Sequence, residues 1–388
     1  MTMLNLISST NNDSYISALV KTWNKVSSIQ KMPTKSSFSE FRNKVSYRFF
    51  EDHFKEHLEN INAKRATIRG FHIYAVDGDY LDIMPSKDLL KSGLRGTPCP
   101  GKKTETYCLK MYTTQAYDVV NGLIKKFEYS EEMGETELAL KMIECYEKNS
   151  IAIYDRLYCG YRTMFAHITA GNKFIIRARF GGNGRNIQKE IFKFSKSKRK
   201  SKWIIWKPSF QSGGKQDIKV RLVKIKNPRT NEFMILMTNL TEKQFCDADL
   251  GELYQRRWDV EGSFRDITST LKMEQWHSKN LNGILQEIFT LFWLINTIKF
   301  NCFRAHFNAQ TWLKRKYKKS NFKFTLNTFV DNVELCFTSA GRKKIKNIIE
   351  ACIWRTVESR ERLSRSYPRV TRRRGRIYDK NNVVLIRP

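Results

Sequence analysis

The dipeptide Asn121-Gly122 lies between two long runs of strand-forming residues, Tyr107 to Val120 and Leu123 to Tyr129. Asn-Gly is the strongest short signal for a two-residue hairpin, because the favoured turn needs positive φ, which Gly adopts freely. Such a hairpin commits the chain to an antiparallel pair that its neighbours must fit. Two shorter apolar runs flank it, Phe71-His-Ile-Tyr-Ala-Val before and Ser150-Ile-Ala-Ile-Tyr after. Both are rich in β-branched and aromatic residues, as buried strands are. Glu135 to Tyr146 is patterned as a helix and Lys173 to Phe180 as a further strand. The order strand, hairpin, helix, strand, strand belongs to an α/β sheet.

Each flanking run stops at an acid: Asp77, before Gly78, and Asp155, before Arg156. A carboxylate at a strand end emerges at the edge of a sheet, where open α/β folds place their ligands. Taken singly, either Asp is more simply an Asx turn or a helix cap. A third acid, Glu261, lies in Leu253-Tyr-Gln-Arg-Arg-Trp-Asp-Val-Glu261-Gly-Ser-Phe-Arg265. As a helix, this segment puts Tyr254, Arg257 and Glu261 on one face. An Arg fork takes a phosphodiester at two points, a Tyr hydroxyl donates, and a Glu can hold a divalent metal. The plainer reading of Arg257 and Glu261 alone is an exposed i,i+4 pair worth a few tenths of a kcal/mol. Two strand-end Asp residues with one helical Glu have the make-up of a site for two divalent ions about 4 Å apart.

Asp77-Gly78, Asp155-Arg156 and the Tyr254, Arg257, Glu261 block together resemble the signature of the DDE transposases of bacterial insertion sequences, specifically the insertion-sequence-four group. Ile235-Leu-Met-Thr-Asn239-Leu before the block and Trp276-His-Ser-Lys279 after it extend the likeness over roughly residues 70 to 300. The resemblance implies a ribonuclease H-like catalytic core interrupted by a β-rich insertion, with helical N-terminal and C-terminal regions. It also implies that Asp77, Asp155 and Glu261 hold two Mg2+ ions, for which Mn2+ can substitute. Tyr254 and Arg257 would grip DNA, and a hairpin intermediate is open to this branch. Implied partners are double-stranded DNA, as element ends and target, and a second copy of the chain in the DNA complex. A cytoplasmic, nucleoid-associated location follows.

Two positions depart from that pattern. The family's Lys seven residues after the Glu is Thr268 here; Lys272, one turn on, and Arg265, four residues after Glu261, are its candidate replacements. A small hydroxyl residue usually follows the first Asp-Gly, whereas this chain has Asp79, with Asp82 nearby. Two other functions share these residues: a metal-dependent nuclease on the same fold, and a catalytically silent DNA-binding protein descended from a transposase.

Charge agrees with a polyanionic partner. Lys and Arg number 70 against 38 Asp and Glu, a net charge of +32. Such a field makes affinity for nucleic acid fall steeply with salt, without distinguishing DNA from RNA or an anionic membrane. None of the eight Cys residues forms a Cys-x-x-Cys pair, so a zinc ribbon is not expected and reduced, mostly buried thiols are. Met1-Thr-Met-Leu-Asn-Leu-Ile is followed by polar residues, which is not a secretory pattern. Ile284 to Phe303 is the longest apolar stretch, but Gln286, Glu287, Asn296 and Lys299 interrupt it, so it reads as a core helix and not a membrane span.

Five regions are expected. Residues 1–68 are helical, with a Ser37-Phe-Ser-Glu40 capping box and a stripe of Phe41, Val45, Phe49, Phe50, Phe54, Leu58 and Ile61, and resemble the family's end-binding domain. His53 and His57 on that helix lack a third metal ligand nearby and read as a solvated or half-buried pair. Residues 69–180 form the first part of the core. Residues 181–232 form the insertion, with strand-like Ile191-Phe-Lys-Phe and with Lys196-Ser-Lys-Arg-Lys-Ser-Lys202 beside Trp203 and Trp206, rings able to stack an unpaired base. Residues 233–300 complete the core with the Glu261 helix. Residues 301–388 are a basic helical region and tail whose Arg372, Arg373 and Arg374 are expected to touch DNA.

Overall fold

The computed structural model describes residues 2–7, 15–25, 31–99, 102–131, 134–179, 185–208, 216–226, 233–265, 276–307, 312, 319–355, 357–358, 377–378 and 384–385. Helices α1 (Thr2–Ile7), α2 (Tyr15–Lys25), α3 (Lys35–Lys44) and α4 (Tyr47–Asn62) come first. Strands β1 (His72–Ile83), β2 (Arg95–Cys99), β3 (Lys102–Asp118) and β4 (Leu123–Ser130) follow, with the short α5 (Lys87–Leu90) between β1 and β2. Helix α6 (Glu135–Ile143), strand β5 (Ser150–Tyr154), helix α7 (Tyr161–Thr169) and strand β6 (Lys173–Arg177) continue the α/β alternation. Then come α8 (Arg185–Lys196), β7 (Ser201–Trp206), β8 (Ile218–Lys226), β9 (Phe233–Thr238), α9 (Asp247–Gln255), α10 (Trp258–Arg265) and α11 (Leu281–His306). Helices Phe322–Asp331 and Ser339–Arg355 pack beyond α11.

Nine strands form one sheet in the order β2-β3-β1-β5-β6-β9-β8-β7, with β4 also on β3. β1, β5 and β6 run parallel, and the remaining neighbours are antiparallel. Side chains alternate between two cores, as a pleat requires. Ile73, Ala75, Ile151 and Ile153 enter one core beneath α4, α9, α10 and α11. Tyr74, Val76, Ala152 and Tyr154 enter the other beneath α6, α7 and α8. Helices thus cover both faces, and the central strands are buried on each side.

The Asn121-Gly122 turn is present, and it is buried. Gly122 has φ +70°, and a Cβ there would stand 2.5 Å from the Phe303 ring, so conformation and space both demand Gly. Asn121 accepts from the Ala66 N–H at 2.7 Å and donates to Asp118, which the buried Arg65 also holds at 2.7 and 2.9 Å. The turn therefore anchors the chain entering β1.

Three local expectations are corrected. Ile191-Phe-Lys-Phe is helical: Ile187, Ile191 and Phe194 are buried at i, i+4 and i+7, a helical spacing that a short strand-like run conceals. The capping residue of α3 is Thr34, not Ser37; its Oγ1 accepts from the Ser37 N–H at 3.1 Å. The expected single helical stripe is broken at Val45 and Ser46, leaving Phe41 and Phe49 exposed at 64% and 66%. Arg42 is buried instead, donating to Gln286, Gly283 O and Glu287 of α11 at 2.9–3.2 Å. Helix α11 is long and apolar enough to cross a membrane, yet most of it is buried inside the protein.

Candidate active site

Asp77 and Asp155 meet because β1 and β5 are adjacent parallel strands. Their register pairs Ala75 with Ile153, so Asp77 and Asp155 each follow two residues beyond that last pair, near enough for the charge of Asp155 to act on Asp77. Asp77 is not at the end of its strand, as the sequence led one to expect. β1 runs on to Ile83 in antiparallel pairing with β3, where Asp77 faces Gln115. What ends near Asp77 is the parallel pairing, since β5 stops at Tyr154 and opens a gap in the sheet. Asp155 follows directly, caps a 3-10 turn and accepts from the Leu157 N–H at 2.6 Å.

Glu261 arrives from the far end of the chain. The segment expected as one helix is two, α9 and α10, joined at Arg256 and Arg257. There the N–H groups of Arg256, Arg257, Asp259 and Val260 donate to carbonyls three residues back, at 2.8–3.3 Å. That tightened 3-10 geometry re-aims the chain between Tyr254 and Glu261. Gln115 Nε2 donates to Ser263 Oγ at 3.0 Å in the buried interior and pins α10 to β3.

Arg257 stands between two of the acids, with Nη1 3.2 Å from Asp77 Oδ2 and Nη2 2.7 Å from Glu261 Oε1. Its guanidinium also lies 4.7 Å from the Trp258 ring centre. Burial pushes the Asp77 carboxyl up to about 7, with Asp155 and Glu261 adding to the rise and Arg257 opposing it. Buried Tyr254 is likewise raised, to about 12, mainly by burial, so it remains an O–H donor at neutral pH. The structure thus brings Asp77, Asp155, Tyr254, Arg257 and Glu261 together.

Oxygen-only donors of this kind suit a hard divalent cation. Among the described residues, no three His, Cys, Asp or Glu side chains are already grouped closely enough to hold an ion. The acids fit such an ion by their chemistry, while Arg257 stands between Asp77 and Glu261.

Sequence reasoning missed Glu135. A Cβ on Gly78 would lie 2.3 Å from Glu135 Cγ, so this carboxylate crosses the strand next to Asp77 and needs Gly78 bare. Burial first, then Asp155 and Asp79, raise it above the usual carboxylate range. No spacing could have announced it, since Glu135 reads as an ordinary first-turn acid of α6. Gln115 carried a faint signal as a polar residue inside a strand-forming run. Asp79 accepts from the Tyr80 N–H at 2.8 Å, while Asp82 accepts from Cys108 Sγ at 3.3 Å and Trp276 Nε1 donates to its carbonyl at 3.2 Å.

Trp203 and Trp206 are not brought to the carboxylates. They lie on β7, the sheet's edge strand and four places from β5, which is roughly 19 Å at the usual strand spacing. Trp203 is 38% exposed with Lys219 Nζ 5.3 Å from its ring centre, whereas Trp206 is half-buried with its edge on Tyr161 at 6.2 Å. The side chain of Arg265, Thr268, Lys272 and the tail residues Arg372, Arg373 and Arg374 lie outside the described residues.

Residues 73–297, which include all three acids, match the family model described as the transposase DDE domain. No curated protein sequence matches. Among solved structures, the chain is similar to a piggyBac transposase in a synaptic complex with hairpin DNA, at 11% identity, covering 96% of this chain and 77% of that one with a TM-score of 0.43.

Proposed function

From the premise that this chain belongs to the transposase DDE-domain family, a DNA cleavage and transfer enzyme, we propose that Asp77, Asp155 and Glu261 form the centre that cuts and joins the ends of a mobile element. The approach of Asp77 on β1 and Glu261 on α10 to the Arg257 fork, with Asp155 at the end of the neighbouring strand β5, carries the reading. The proposal includes the insertion-sequence-four group and a ribonuclease H-like core, supported by parallel β1-β5-β6 flanked by the antiparallel β1-β3 pair.

Asp77, Asp155 and Glu261 would hold two Mg2+, which when bound lower the pKa of water and stabilise a leaving 3′ oxygen. The chain's own groups supply the rest. On binding DNA, Arg257, whose Nη1 and Nη2 hold Asp77 and Glu261 here, would turn its fork to the phosphate oxygens and position the phosphodiester over the acids. Tyr254 donates its hydroxyl to the same backbone. Gln115, through Ser263, keeps α10 and therefore Glu261 against the sheet. Double-stranded DNA, as element end and target, is the proposed substrate, with two copies of the chain pairing the ends and a hairpin as the route through the second strand. A cytoplasmic, nucleoid-associated location suits that substrate.

Incubating the protein with Mg2+ and DNA flanking the reading frame, then sequencing the products, tests the proposal. Cuts at inverted repeats followed by joined ends are expected, and both should vanish in Asp155→Ala. Cuts without joining would identify a nuclease, and binding without cuts a silent DNA-binding protein.

A further inference from the structure

A second basic feature lies away from the acids. The turn after α8 carries Lys198, Arg199 and Lys200, all exposed, and it faces Lys226 at the end of β8 across an open cleft of about 790 Å³ floored by α9. These four cations have no side-chain partner among the described residues. The neighbouring charges are already satisfied: Lys224 Nζ donates to Ser195 O and Ser197 O at 2.9 and 2.7 Å, and Asp247 is paired with Arg221. Glu252 is the acid left at the rim. Phe233, 66% exposed, projects from the first position of β9 beside Lys226, its register partner. Four unpaired cations and one bare ring around a concave surface suit a phosphate backbone with a sugar or base face against the ring.

Strand directions fix where this cleft sits. β6 runs parallel to β5, and β9 runs antiparallel to β6, so Phe233 and Lys226 lie at the sheet end where β5 delivers Asp155. β8 lies three strand spacings from β5, and β7, into which Lys198, Arg199 and Lys200 lead, lies four, so the cleft is roughly 14–19 Å away across the sheet, or about four to six base pairs of duplex at 3.4 Å each.

We propose that this cleft is a second DNA site, in which Lys198, Arg199, Lys200 and Lys226 grip the backbone of the duplex about four to six base pairs from the phosphate being cut, with Phe233 packed against it. The placement rests on the cut-and-join reading of the acids; the DNA contact itself does not. Unpaired Glu252 marks the side from which the backbone is repelled. This relocates the ring that accompanies the basic run from Trp203 and Trp206 to Phe233.

The test uses the full chain, a fluorescent duplex of arbitrary sequence and anisotropy across a salt series. Combined Lys198→Glu, Arg199→Glu and Lys200→Glu should weaken binding about 10- to 100-fold and flatten the logarithmic salt slope by about 2 to 3, one step per lost phosphate contact. Reversing the scattered exposed residues Lys64, Lys91 and Lys148 should change the slope by less than half as much. Combined substitution to Gln, with a retained circular dichroism spectrum, should give a smaller loss in the same direction. Equal effects from the two sets of reversals, or an unchanged slope in the cleft set, overturn the site. On DNA that the unmodified enzyme cuts, phosphate ethylation should interfere about four to six base pairs to one side of the cut. If the cleft variant binds normally while Asp155→Ala loses cleavage, the cleft fails and the catalytic reading stands. If the cleft variant loses binding but the unmodified enzyme joins no ends, the cleft stands as a DNA site and the catalytic reading fails.

Discussion

Arg257 Nη1 lies 3.2 Å from Asp77 Oδ2, so an ion pair between residues 180 positions apart ties the start of α10 to the middle of β1. The same guanidinium reaches Glu261, and one planar group therefore sets the spacing of two acids. Arg257→Lys keeps the charge but loses the fork. Cleavage should fall about 10- to 100-fold, as expected for one charge-assisted bond worth about 1.5–3 kcal/mol. Single-turnover rates on one duplex would measure it, and a rate equal to that of the unmodified protein would show that the fork is not used.

Each of Asp77→Ala, Asp155→Ala and Glu261→Ala should abolish cleavage while leaving duplex affinity within a few-fold, because each removes a carboxylate and no phosphate contact. Asp77 adds a pH signature. Its folded value, raised to about 7 from 3.8, means that the folded state holds the proton more tightly than the unfolded chain. Its contribution to stability is full below the ordinary carboxylate value and is lost as pH rises through about 7. In metal-free buffer Asp77→Asn should therefore raise the melting temperature above pH 7 and change it little well below.

Glu147 behaves in the opposite sense. Burial pushes its carboxyl up, but the Arg65 charge and hydrogen bonds from Lys125 and Tyr74 win and hold it at about 2. Stability from this group is present above the ordinary Glu value and lost as pH falls through about 2. Glu147→Gln should cost about 1–3 kcal/mol at neutral pH and flatten the acid limb of the stability curve. Urea midpoints across pH would reveal it, and parallel curves for the two proteins would contradict the assignment.

Trp203 and Trp206 should separate on substitution. Trp206→Ala removes a ring packed on Tyr161 and should cost about 1–3 kcal/mol, whereas Trp203→Ala, at an exposed edge position, should cost well under 1 kcal/mol. Thermal melts decide. Equal losses would mean that Trp203 is a packing residue too.

Much of the centre was legible in the sequence because it rests on local pattern: Asn121-Gly122 sets a turn, and Asp77 and Asp155 end apolar runs that must be buried. Less legible was whatever depended on distant partners. The break between α9 and α10 has no Pro or Gly at Arg256 or Arg257 to announce it, and tertiary contacts impose it. Arg42 looks like a surface residue until α11 is beside it. Glu135 gains its place only because α6 crosses β1 at a residue without a side chain. Helix α8 was misread because four residues cannot distinguish a period of 2 from one of 3.6.

The buried pair of Arg42 and Glu287 also sets a clock. Its members are 245 positions apart, so a ribosome adding residues at ~5–20 per second needs roughly 12–50 s between them. Throughout that interval the early helices have no α11 to pack on, and their apolar sides face solvent or a chaperone. Most of the polypeptide must emerge before the first helices can settle, which makes yield from synthesis a matter of protection during elongation as much as of final stability.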